Sequence, residues 1–88
     1  MDQYATFLGW EAVRAARRIR RADTCEQLVV GALDLAVARE SLVRYMDVMR
    51  PASPARVDLT HRRLGRARTR TMRLALRAAG RLGEAVRS

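Results

Sequence analysis

Seven arginines recur at three- and four-residue spacing in the second half of the chain: Arg56, Arg63, Arg66, Arg70, Arg73, Arg77 and Arg81. On a helix turning about 100° per residue, all seven fall within about 100° of one another. A guanidinium is a planar five-donor fork that grips a phosphate or carboxylate through two parallel hydrogen bonds. A row of them is therefore suited to holding anions. From Arg63 to Arg81 the row would run roughly 27 Å at 1.5 Å per residue. No aspartate or glutamate lies between Thr60 and Gly83 to offset it within the helix. Like charges at these spacings cost an isolated helix a few tenths of a kcal/mol per pair. A second, shorter basic ridge is expected on the first helix, at Arg14, Arg17, Arg18 and Arg21.

The charge is one-sided along the whole chain. Residues 1–49 hold seven arginines and seven acids, whereas residues 50–88 hold eleven arginines and two acids, which accounts for the formal net charge of +9. Such an asymmetry attracts polyanions or acidic proteins over a Debye length. All eighteen basic residues are arginine, asparagine is missing and Ile19 is the only isoleucine. That bias is also what a GC-rich coding sequence produces, so the placement of the arginines says more than their identity.

Other chemistry is thinly represented. Cys25 and His61 are the only residues of their kinds, which leaves no internal disulfide and no multi-cysteine metal site. Cys25 is expected as a small buried side chain in the first turn of helix two, and His61 as a packed or hydrogen-bonded residue on the seam of helix three. No catalytic, cofactor-binding or metal-ligating set is assigned. The longest apolar run, Leu28 to Leu33, is far short of the roughly 20 residues that span a bilayer. The start of the chain lacks the cationic and apolar regions of a secretory signal. A soluble, cytoplasmic protein is expected.

The elements that must carry these residues are helices. Apolar residues recur at three and four, and no stretch alternates as a half-buried strand does. A single all-α domain over residues 1–88 is expected: a three-helix antiparallel bundle with helices at about 2–22, 24–49 and 54–86. Helix one has its stripe at Tyr4, Leu8, Ala12, Ala15, Ile19 and Ala22. Asp23, with Glu26 three residues on, has the spacing of an N-cap for helix two. Helix two has its main stripe at Cys25, Leu28, Ala32, Leu35, Leu42 and Met46, and Gly31 suits a close helix crossing. Pro51 ends it, and Ser53-Pro54 reads as an N-cap and first-turn proline. Helix three is expected to seam at Val57, His61, Leu64, Thr71, Ala75, Ala78, Leu82 and Val86, with its last two turns frayed or docked on another subunit. Arg39 and Arg68 point toward apolar stripes, where each is expected to pair with Asp34, Glu40 or Asp47.

Phe7 and Trp10 on helix one, and Val30, Leu33 and Val37 on helix two, lie off the main stripes and supply a second apolar surface. A three-helix monomer has only one core, so these five residues point to a homodimer that completes the fold. The functional expectation is a small non-enzymatic binding or regulatory protein. Its arginine ridge would take nucleic acid or an acidic protein surface, as an inhibitor of a nucleic-acid machine from a mobile element would. No helix-turn-helix spacing, zinc-finger pairing or interleaved aromatic row supports sequence-specific reading. A membrane partner is disfavoured because the opposite face of helix three is alanine-rich. The alternative is a small helical dimeric enzyme of chorismate-mutase-like type, in which Arg14, Arg39, Arg68 and Glu40 clamp a dicarboxylate. The chain shows no residue-by-residue match to such enzymes and lacks their usual lysine.

Overall fold

The computed structural model describes residues 2–87, with side chains described through Glu84. Three helices follow one another: α1 (Gln3–Arg20), α2 (Cys25–Val48) and α3 (Pro54–Arg87). No strand occurs among the described residues. Each start has its cap. The Asp2 carboxylate accepts from the Tyr4 amide at 2.9 Å. The Thr24 hydroxyl accepts from the Gln27 amide at 3.1 Å, and the Ser53 hydroxyl from the Arg56 amide at 3.2 Å. Each bond satisfies one of the orphan amides of a first helical turn. For α2 this corrects the expected cap by one residue. Asp23 lies just outside the helix, and its amide donates to the Gln27 side chain at 2.8 Å.

α2 is the centre of the fold. It runs antiparallel to both neighbours, and α1 meets α3 mainly near their C-termini. The core consists of Ala15, Ala16, Ile19, Ala22, Leu28, Leu35 and Ala78, with Ala12, Ala32, Leu74, Ala75 and Leu82 packed against it. Ile19 and Leu35 are fully buried. The α1–α2 crossing is close because Gly31 lacks a side chain. A Cβ there would stand 3.0 Å from Ile19 Cγ1 and 3.3 Å from the Ile19 backbone nitrogen. At the far end of this pair, the Tyr4 and Tyr45 rings meet edge to face at 4.8 Å, and the Tyr45 hydroxyl donates to Asp2. One carboxylate thus caps α1 and ties it to the end of α2.

α3 packs along most of the expected seam. Leu64, Thr71 and Ala78 are buried, with Ala75 and Leu82 packed against the core, and Ala67 joins them, whereas Val57 and His61 are exposed. The side chain of Val86 lies outside the described residues. Polar contacts tie this face to α2. Thr60 donates to Asp47, Arg68 to Glu40, and Arg39 to Thr71 at 3.0 Å. Two further expectations are corrected. Cys25 is exposed, and Leu28 is the residue of the first turn of α2 that enters the core. His61 is no packed histidine: its side chain is exposed.

The result is a flat layer of helices measuring 53 × 26 × 15 Å, with a radius of gyration of 15.2 Å. A rounded chain of this length has a radius of about 12 Å. The exposed area of 6631 Å² likewise exceeds the roughly 5,200 Å² expected for a compact monomer of this mass. Small core residues and the narrow α3 seam explain the thinness. Few side chains are large enough to wrap a second layer around α2.

Candidate anionic-partner surface

Helical spacing places the seven arginines of the α3 stripe on one side of the helix, but their surroundings differ. At the N-terminal end, Arg56 is half-buried. Its Nε lies 3.3 Å from Asp47 Oδ1, and its Nη1 donates to the Arg50 carbonyl at 3.0 Å. At the C-terminal end, Arg81 donates to the carbonyls of Ile19, Arg20 and Ala22. Those carbonyls lie at the end of α1 and in the turn just beyond it, where the helix dipole favours a cation. Both end residues are therefore engaged within the fold. Between them stand Arg63, Arg66, Arg70, Arg73 and Arg77. None of these five has a carboxylate partner among the described residues. Arg63 is half-buried and the other four are exposed. The five span about 21 Å of helix.

Two concave surfaces flank this row. One, of about 300 Å³, lies between α2 and α3 and is lined by Arg39, Arg63, Arg66 and Arg70 over Leu42, Val43 and Ala67. The other, of about 570 Å³, runs along the outside of α3 past Arg62, Arg66, Arg70 and Arg73. Arg62 thus lines this outer groove although it sits outside the stripe of seven. Its four-residue offset from Arg66 was the available signal.

Arg39 departs from expectation. The sequence suggested a carboxylate partner, but none is present among the described residues. Its partner is the hydroxyl of Thr71, which in turn donates to the Ala67 carbonyl at 2.8 Å. Asp47 is taken by Arg56 and Thr60, Glu40 by Arg68, and Asp34 by Arg18 at 3.0 Å. Burial, followed by the charges of Arg70 and Arg20, pushes the Arg39 guanidinium below its ordinary value. Arg68 does pair with an acid, Glu40, as expected.

The α1 ridge is more nearly neutralised. Arg14 pairs with Glu11 at 2.9 Å and Arg18 with Asp34. A groove of about 630 Å³ joins Arg14, Arg17, Arg18 and Arg21 to Asp23, Glu26, Gln27 and Val30. With two further acids on its wall, this groove is mixed in sign. One turn before Arg14 the same face of α1 carries Phe7 and Trp10, each more than half exposed. Val30, Leu33 and Val37 are likewise more than half exposed along α2. The set Arg14, Arg39, Arg68 and Glu40 is divided. Arg14 lines the groove between α1 and α2 and Arg39 the one between α2 and α3, while Arg68 and Glu40 pair outside both.

No group of three metal-ligating side chains occurs among the described residues, and no described helix is long and apolar enough to cross a membrane. No family model matches the chain, nor does any curated protein or solved structure. The geometry alone carries the functional argument.

Proposed function

We propose that this chain is a small helical binding protein whose α3 arginine row docks on the phosphodiester backbone of a nucleic acid. The observation that carries the reading is the run from Arg63 to Arg77, five guanidiniums on one side of one helix with no carboxylate partner among the described residues. A row of forks along a straight rod suits a linear array of phosphates, and counterion release drives such binding. Aromatic side chains are absent from α3, so there is no stacking platform, and recognition is of the backbone rather than of bases. A protein of this kind acts by occupancy, as a regulator or inhibitor that covers a nucleic-acid surface. The enzyme alternative requires its arginines in one pocket with Glu40, and their separation supports binding over turnover.

The working form in this proposal is a homodimer. Val30, Leu33 and Val37 make an apolar stripe on the side of α2 that its neighbours leave open. A second copy laid across it would supply the missing layer while leaving α3 available. Capture of partners from a native lysate, with and without nuclease, tests the reading. Loss of the captured material after nuclease upholds a nucleic-acid partner. Retention of an acidic protein after nuclease transfers the arginine row to a protein surface instead.

A further inference from the structure

We infer that the groove between α2 and α3 is a receptor for a dianionic phosphate group, carried either by the phosphorylated end of a strand or by a small phosphomonoester. The inference rests on the reading of α3 as a polyanion surface and adds a distinct end-group site to it. Four arginines, Arg39, Arg63, Arg66 and Arg70, line one concavity of about 300 Å³ with an apolar floor of Leu42, Val43 and Ala67. That volume is at the lower end for a small-molecule site. None of the four has a carboxylate partner among the described residues. An apolar floor lowers the local dielectric, which strengthens attraction for an anion and sharpens repulsion among the cations when none is bound.

Arg39 gives the groove its fixed point. Its Nη1 is held on Thr71 Oγ1 at 3.0 Å, and the buried Thr71 is locked in turn on the Ala67 carbonyl. Arg63, Arg66 and Arg70 approach from α3 on the other wall. Burial and the nearby charges of Arg70 and Arg20 disfavour the cationic form of Arg39, a strain that a bound anion relieves. The number of forks selects the ligand. A carboxylate offers two oxygens and one charge, and one arginine satisfies it bidentately. A phosphodiester inside a chain also offers two free oxygens and one charge. A phosphomonoester offers three terminal oxygens and a charge of about −1.5 to −2 at neutral pH. Four forks facing one cavity match the three-oxygen dianion best.

The test uses the full chain and fluorescence anisotropy. A 12-nucleotide single strand carrying a 5′-phosphate is compared with the same strand ending in a 5′-hydroxyl, and inorganic phosphate is titrated separately against chloride of equal ionic strength. The phosphorylated strand should bind about tenfold more tightly, and Arg39→Gln should abolish that ratio. Arg66→Gln is the second variant, on an exposed position that does not threaten folding, and it should shrink the ratio as well. Arg73→Gln with Arg77→Gln should weaken both strands alike and leave the ratio intact, because neither residue lines the groove. A ratio near one for the parent chain, with no melting-temperature rise in phosphate beyond that in chloride, overturns the groove site even if both strands bind well. A phosphate-dependent rise that disappears in Arg39→Gln upholds it for small phosphomonoesters, even if neither strand binds and the backbone reading fails.

Discussion

Replacing Arg66, Arg70, Arg73 and Arg77 with glutamine should flatten the salt dependence of nucleic-acid binding while leaving the fold intact. The four side chains are exposed and have no carboxylate partner among the described residues, so removing their charge breaks no ion pair. Each phosphate contact on duplex DNA contributes about −0.9 to the slope of log affinity against log salt. Five arginines from Arg63 to Arg77 therefore give a slope of about −4.5, a loss of roughly 500-fold between 50 and 200 mM salt. With only Arg63 remaining, the slope falls to about −0.9 and the loss to roughly threefold to fourfold. The count also tests the two end residues. If Arg56 and Arg81 left their contacts with Asp47 and the α1 carbonyls to join the interface, the parent slope would steepen to about −6.3. Anisotropy titrations of a labelled duplex of about 20 base pairs at four salt concentrations read all three values. A slope unchanged by the quadruple substitution would refute the assignment of the row as the binding surface.

Glycine substitutions should act in opposite directions on the two long helices. Gly31→Ala forces a methyl group against Ile19, including its backbone, and should cost about 1–2 kcal/mol in urea unfolding after a gain of about 1 kcal/mol in helix propensity. Gly65→Ala meets nothing within 4 Å and should stabilise by about 0.5–1 kcal/mol; the reverse order would contradict the close crossing. Arg81→Gln should lower stability by about 1 kcal/mol by uncapping α1, yet leave the salt slope unchanged, which the same two assays check. Light scattering should return about twice the 10.0 kDa chain mass, and Leu33→Glu should return the single-chain mass; a monomer at every concentration in the parent would remove the homodimer.

The three helices and their breaks were legible because local signals agree with the global fold. Pro51, Ser53 and Pro54 punctuate one corner, and the periodicity of Leu8, Ala15, Ile19, Leu28 and Leu35 marks the packed faces. Gly31 was readable for the same reason, as a small residue in the middle of an apolar helix. The α3 face was legible only in part. Leu64, Thr71, Ala75, Ala78 and Leu82 pack as periodicity expects, but the exposure of Val57 and His61 and the burial of Ala67 were not legible. A seam built mostly of small residues has ill-defined edges, and the contacts of Asp47, Glu40 and Arg39 with α3 depend on partners in another helix. The cap of α2 was ambiguous because Asp23 and Thr24 are both good capping residues, and the reach of Gln27 settles it. Arg39 could not be resolved from sequence either. Three acids were within plausible reach, and each turned out to be engaged by another arginine.

The thinness of the helical layer bears on how this chain responds to heat. A folded state that already wets so much of its apolar surface has comparatively little left to hydrate when it opens. For a single layer the heat-capacity increment should therefore fall below the customary ~12–15 cal/mol/K per residue, giving a shallow stability curve with weak temperature dependence near its maximum. Association of two layers would restore the missing increment, so calorimetric curvature and protein concentration become linked variables for this fold.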